Sequence, residues 1–149
     1  MILWRISNHL SLDGKGGLQW PGRWHSRGQR VVYCSQSPAA ALLERLVHLE
    51  VTIGRLPIRY RLLKILVPDA GPIERLEAGM LPDRWIENED ATQTLGNAWL
   101  AGRLSALLFV PSAIVPETMN VLINPAHAAA AAIEIVGTFD HVIDQRLLR

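Results

Sequence analysis

Four polar residues with chemically useful side chains stand in apolar stretches of the sequence: Arg23, Tyr33, Glu44 and Ser112. A carboxylate among small apolar neighbours costs free energy unless it is hydrogen-bonded or used to oppose a positive charge. A guanidinium offers a planar fork that matches phosphate oxygens, and an aromatic face attracts cations. The four residues therefore form a candidate site.

Each of these residues also has an ordinary structural explanation. Glu44 could pair on a helix surface with Arg45 or His48. Arg23 could be a solvated loop residue, the tyrosine a half-buried strand residue, and the serine a turn residue at a strand end. Residue types alone leave both explanations open.

Other common catalytic motifs are missing from the sequence. Residues 14–17 contain a GxG pattern, but no capped apolar helix follows it, so a flexible turn is the better interpretation than a dinucleotide fingerprint. No phosphate-binding P-loop and no GxSxG serine occur. The five histidines never adopt a metal-binding spacing, and Cys34 is the only cysteine. We therefore expect no metal site, no internal disulfide and no resident cofactor.

The helix that would present Glu44 has clear start signals. Ser37 is a capping residue and Pro38 suits the first helical position, so the sequence predicts a helix to about Leu49. On this helix Glu44 and His48 share one side, opposite a stripe of leucines.

The remaining elements follow from hydrophobic periodicity. A second helix is predicted over 89–102. Strands are predicted over residues 2–6, 31–35, 59–67, 106–110, 120–123 and 133–139. Too few crossovers have the βαβ form for a doubly wound sheet, so we expect an α+β fold with mixed, largely antiparallel strands and flanking helices.

Length and charge narrow the possible functions. The 149 residues predict one domain spanning 1–149, and the net charge of +1 argues against direct nucleic-acid binding. No apolar stretch is long enough for a membrane helix, and Arg5 interrupts the first apolar stretch too early for a signal peptide. The lone cysteine fits a reducing compartment, so we expect a cytoplasmic protein without membrane contact.

Five segments together resemble the RES domain family. Their order along the chain is Gly22-Arg23-Trp24, Val31-Val32-Tyr33-Cys34-Ser35, Ala41-Leu42-Leu43-Glu44-Arg45-Leu46-Val47-His48, Pro111-Ser112 and Asn120-Val121-Leu122-Ile123-Asn124-Pro125-Ala126-His127. The arginine, glutamate and serine that give the family its name correspond to Arg23, Glu44 and Ser112. His25 departs from the pattern, in which asparagine is expected after the aromatic residue.

The resemblance implies a toxin of a toxin–antitoxin pair with an ADP-ribosyltransferase-like fold and NAD as substrate. In that role Glu44 would stabilise a ribosyl cation, and Arg23 would hold the pyrophosphate. Tyr33 would stack on nicotinamide, and Ser112 would be a polar anchor. The residues expected to bind substrate are Arg5, Trp24, His48, Asn120 and Asn124. An Xre-type antitoxin is the implied protein partner, and the apolar balance of the chain makes a homo-oligomer plausible.

Three functions remain open at this stage. The first is NAD degradation by cleavage of the nicotinamide–ribose bond, with water or phosphate as acceptor. The second is transfer of ADP-ribose to a protein. The third is a non-enzymatic module whose pocket binds a partner, in which Arg23 and Glu44 would be interface residues.

Overall fold

The strands of the fold follow the apolar alternation of the sequence. The computed structural model describes residues 1–49, 57–69 and 71–149. The strands are β1 (Ile2–Ile6), β2 (Val32–Ser35), β3 (Arg59–Leu66), β4 (Ile73–Arg75), β5 (Leu107–Pro111), β6 (Met119–Ile123) and β7 (Glu134–Val142). They form one sheet in the order β4-β5-β6-β2-β1-β3-β7. Only β4 and β5 pair in parallel within the described chain, which confirms the largely antiparallel α+β fold.

The two faces of the sheet bury different clusters. Because successive side chains of a strand point to opposite faces, Phe109 joins one cluster and its neighbours Leu108 and Val110 the other. The first cluster includes Leu3 and Leu63. The second is rich in aromatic side chains, which are Trp24, Trp85, Trp99 and the partly buried Tyr33. The candidate site lies beside this aromatic cluster.

The two longer helices of the described chain begin at side-chain caps. The α-helices are α1 (Gly16–Gln19), α2 (Pro38–Leu46) and α3 (Glu89–Gly102). The Ser37 hydroxyl accepts a hydrogen bond from the Ala40 amide, and Asn88 caps α3 in the same way. Helix α2 ends at Leu46, three residues earlier than predicted, and turns follow it.

The short elements that were not predicted include the helix α1 and the strand β4. The expected flexible turn at residues 14–17 leads into the one-turn helix α1, where a Cβ at Gly17 would overlap the Gln29 carbonyl oxygen. The three-residue β4 carries Glu74 and Arg75 and has no apolar alternation from which a strand could be predicted. None of the described helices has the length and apolar character needed to cross a bilayer.

Candidate active site

A cleft of about 640 Å³ lies between β2, α2, the segment 20–25 and the chain that follows β5. This volume is in the range of small-molecule sites. The cleft brings together seven of the nine residues expected at the site, which are Arg5, Arg23, Trp24, Tyr33, Glu44, His48 and Asn120. Ser112 joins them through a hydrogen bond to Glu44.

The Glu44 carboxylate is held by one of its two oxygens. Oε1 accepts a hydrogen bond from the Ser112 hydroxyl at 2.6 Å and another from the Asn120 amide at 2.7 Å. No described residue donates to Oε2. The carboxylate is thus fixed in orientation while keeping one oxygen free for a ligand, and neither Arg45 nor His48 pairs with it.

The two donors are themselves oriented by the protein. The buried Ser112 Oγ accepts hydrogen bonds from the amides of Ile114 and Val115, so its proton is directed to Glu44. The Ser35 hydroxyl donates to Asn120 Oδ1 at 3.1 Å, which turns the amide nitrogen toward Glu44. Ser35 is a residue that the sequence analysis did not select, although it shares a strand face with Tyr33.

The Tyr33 hydroxyl makes two hydrogen bonds inside the protein. It accepts one from the Trp24 amide at 3.1 Å and lies 2.7 Å from His25 Nδ1. His25 Nε2 lies 2.9 Å from the Trp20 carbonyl oxygen, which can only accept, so Nε2 carries the proton and Nδ1 accepts from Tyr33. Burial raises the pKa of Tyr33 and lowers that of His25, so both side chains stay neutral near pH 7.

The cleft has more cationic than anionic side chains. Arg5, Arg23 and Arg45 line it, whereas its carboxylates are Glu44 and Glu89. The guanidinium of Arg23 donates to the Ile86 carbonyl oxygen at 3.1 Å. This bond holds the side chain across the cleft and leaves its other donors for an anionic ligand.

Helix α3 fixes the segment that carries Arg23. Thr92 donates to the Arg23 carbonyl oxygen at 2.6 Å, and Gln93 donates to the Gly22 carbonyl oxygen at 2.8 Å. A Cβ at Gly96 would overlap the Trp24 carbonyl oxygen, so helix and segment pack in direct backbone contact. These contacts could not be predicted from the sequence, because no local pattern links the two stretches.

Two residues occupy positions that differ from expectation. Asn124 lies outside the cleft, buried, where it donates to the Leu100 carbonyl oxygen and accepts from the Ala126 amide. Its side chain therefore satisfies turn backbone and does not reach the site. Trp20, which no sequence motif selects as a site residue, lines the cleft and is 72% exposed.

Three further side chains lie in different environments, and they are those of His48, His127 and Cys34. His48 is exposed at the rim and does not touch the Glu44 carboxylate. His127 accepts from the Ala129 amide in a turn. Cys34 is buried, and burial raises its pKa to about 12, which makes it an inert core thiol. Over the residues that the structure describes, no cluster of metal-ligating side chains occurs.

Fold and cleft together define an α+β domain with a charged site of substrate size. The model of the RES domain family matches residues 2–147. The chain therefore belongs to the RES domain family, as the sequence motifs indicated.

Known proteins agree with this assignment. The chain is 45% identical to a protein of Pseudomonas putida named Toxin Res, over 91% of this chain and 92% of the relative. It is 38% identical to the Prs ADP-ribosylating toxin of a Sphingobium species, over 98% and 96%. A chain in the crystal structure of the MbcT–MbcA toxin–antitoxin complex of M. tuberculosis has the same fold, with a TM-score of 0.75, 17% identity and coverage of 94% of this chain and 83% of that chain.

Proposed function

We propose that this protein is the toxin of a toxin–antitoxin pair and degrades NAD by cleaving the nicotinamide–ribose bond. The observation that carries the proposal is Glu44, a carboxylate fixed through Oε1 with Oε2 open, in a cleft that also holds arginines. The names of the relatives support the toxin assignment.

Cleavage of the nicotinamide–ribose bond depends mainly on electrostatic stabilisation of charge. Nicotinamide is cationic in NAD and leaves as a neutral molecule, so its departure needs no general acid. The ribose develops oxocarbenium character, and a fixed carboxylate opposes that charge and accepts a hydrogen bond from a ribose hydroxyl. Glu44 Oε2 is the atom for this task. Water or phosphate then attacks the ribosyl carbon.

The other cleft residues fit the remaining parts of NAD. Arg23 and Arg5 supply charge for the pyrophosphate, since a guanidinium forms paired hydrogen bonds with phosphate oxygens. The Tyr33 ring offers its face to the nicotinamide cation. Ser112 and Asn120 act through Glu44 by holding its orientation.

The test is release of nicotinamide from NAD by purified protein. Glu44→Gln keeps the size of the side chain and removes its charge, so we expect turnover to fall at least about a hundredfold with the fold retained. Glu134→Gln, at an exposed position on β7, is the matched control and should retain full activity. Equal turnover of the Glu44 variant and the wild type would refute the proposal.

Transfer of ADP-ribose to a protein is the second candidate, favoured by the name of the Sphingobium relative. It uses the same cleft with a side chain of a target protein as acceptor. NAD labelled in its adenosine part separates the two activities. Label in a protein band supports transfer, whereas label found only as free ADP-ribose or its phosphate supports degradation.

A protein inhibitor is also proposed, of the Xre type and acting in the cytoplasm. The fold neighbour comes from a complex between a toxin and its antitoxin.

We further propose self-association through β7, an edge strand of nine residues with no second neighbour among the described strands. Its Val136, Phe139 and Val142 are 44–48% exposed, and exposed edges of this length favour pairing.

A further inference from the structure

We propose that His25 is a positioning residue that fixes the Tyr33 ring by accepting a hydrogen bond from its hydroxyl, so that Tyr33 contacts the nicotinamide cation through its ring face alone. This inference rests on the proposed function for the identity of the ligand. It adds a residue outside the arginine, glutamate and serine set and assigns the part of Tyr33 that touches substrate.

The Tyr33 hydroxyl is already engaged in hydrogen bonds within the protein. A phenol can donate one hydrogen bond, and the Tyr33 hydroxyl donates it to His25 Nδ1. The oxygen also accepts the Trp24 amide proton. With its donor used and an acceptor site filled, the hydroxyl has little left for a ligand. Because Tyr33 lines the cleft, its ring is the part of the side chain left to contact one.

His25 is buried and held in one orientation. His25 is 4% exposed, and its imidazole is held at both nitrogens, by Tyr33 on one side and by the Trp20 carbonyl oxygen on the other. A Cβ at Gly22 would come within 2.6 Å of the Tyr33 oxygen and 2.8 Å of the His25 ring. The backbone at Gly22 thus closes over the pair, and the absence of a side chain there is what allows their contact.

Substitutions of His25 can remove the hydrogen bond of one imidazole nitrogen and keep that of the other. Asparagine places its Oδ1 near the position of Nδ1 and keeps the acceptor for Tyr33. Glutamine reaches the position of Nε2 and keeps the donor for Trp20. Leucine has neither. His25→Asn should therefore preserve the Tyr33 contact, and His25→Gln and His25→Leu should lose it.

The experiment measures KM and kcat for NAD in these three variants, in Tyr33→Phe and in the double variant His25→Gln with Tyr33→Phe. Loss of one buried hydrogen bond should raise KM about fivefold in His25→Leu, with kcat changed less, whereas His25→Asn should stay within about twofold of wild type. Because His25→Gln keeps the Trp20 contact and removes only a bond that Tyr33→Phe also removes, the double variant should be no worse than Tyr33→Phe alone. Multiplying effects, or a glutamine variant better than the asparagine variant, would overturn the inference.

A second measurement keeps this inference separate from the proposed function. The probe is 1-methylnicotinamide, a pyridinium cation without a ribose bond to cleave, and its affinity is followed by protein fluorescence. Binding that weakens about fivefold in His25→Leu but not in His25→Asn supports the inference even if the wild type does not turn over NAD. A wild type that does not bind the probe, or equal binding in all variants, rejects it. Thermal melts verify that each variant is folded.

Discussion

Glu44 and His25 show how single side chains acquire a defined role in this protein. Glu44 is held by donors distant in sequence, with Asn120 lying 76 positions away, whereas His25 is held by its near neighbours Trp20 and Tyr33. A carboxylate with two donors on one oxygen has one orientation, which matters because preorganised charge needs no rearrangement during reaction. The hydroxyl of Ser112, expected to anchor substrate directly, is directed at Glu44 instead.

At the scale of the residue, the neutral state of His25 predicts a pH dependence of stability. Burial lowers its pKa below the ordinary 6.5, opposed by hydrogen bonds to the carbonyls of Trp20 and Gly17. The unfolded chain then takes up a proton at this residue at a higher pH than the folded chain. The free energy of unfolding should therefore decrease as the pH falls below about 6.5, until His25 is protonated in the folded state too.

Urea unfolding at about pH 7.5 and about pH 5.5, either side of the ordinary histidine pKa, measures this effect. We expect a lower midpoint at the acidic pH, and a smaller decrease in His25→Asn, which has no group to titrate at that position. The other histidines are common to both proteins and cancel in the comparison. An identical decrease in the two proteins would contradict the assignment.

At the scale of the element, α3 supports the site without lining most of it. Its side chains Thr92 and Gln93 bind the backbone of the segment 22–23, and Asn97 binds both the amide and the hydroxyl of Ser26. The helix therefore sets where Arg23 and Trp24 enter the cleft. Glu89, in its first turn, is the helix residue that faces the cleft.

Gly96→Ala should disrupt this support. The added Cβ would overlap the Trp24 carbonyl oxygen, and overpacking of this kind costs about 1–3 kcal/mol. We expect that loss in chemical denaturation, together with reduced NAD turnover because the Arg23 segment is displaced. Gly102→Ala in the same helix meets only Leu104 at 4.0 Å and should leave both stability and activity near wild type. If the two variants behave alike, the close approach at Gly96 is not what holds the segment.

At the scale of the whole molecule, the sheet has two unequal edges. Strand β4 covers one edge with three residues, and β7 leaves nine residues at the other. Val136→Lys places a charge on the β7 edge, where lysine opposes strand pairing. We expect wild type to have the mass of a dimer in light scattering and the variant that of a monomer. Ile73→Lys on β4 should leave the dimer intact, and a monomeric wild type would reject self-association.

Sequence alone determined the local structure and the family. The cap at Ser37 and the apolar periodicity located α2, α3 and most strands within a few residues, because these signals depend on near neighbours in the chain. The motifs also selected most of the cleft residues. Short elements such as β4 escaped prediction because three residues carry too little pattern.

Only the tertiary structure decided how the site is assembled. Strand register places Ser35 opposite Asn120, and the crossing of α2 over the sheet brings Glu44 to that pair. The same packing keeps Asn124 out of the cleft, and its side chain donates to the Leu100 carbonyl oxygen. Contacts between residues dozens of positions apart depend on how the strands are ordered and aligned, and no local pattern in the chain encodes that order.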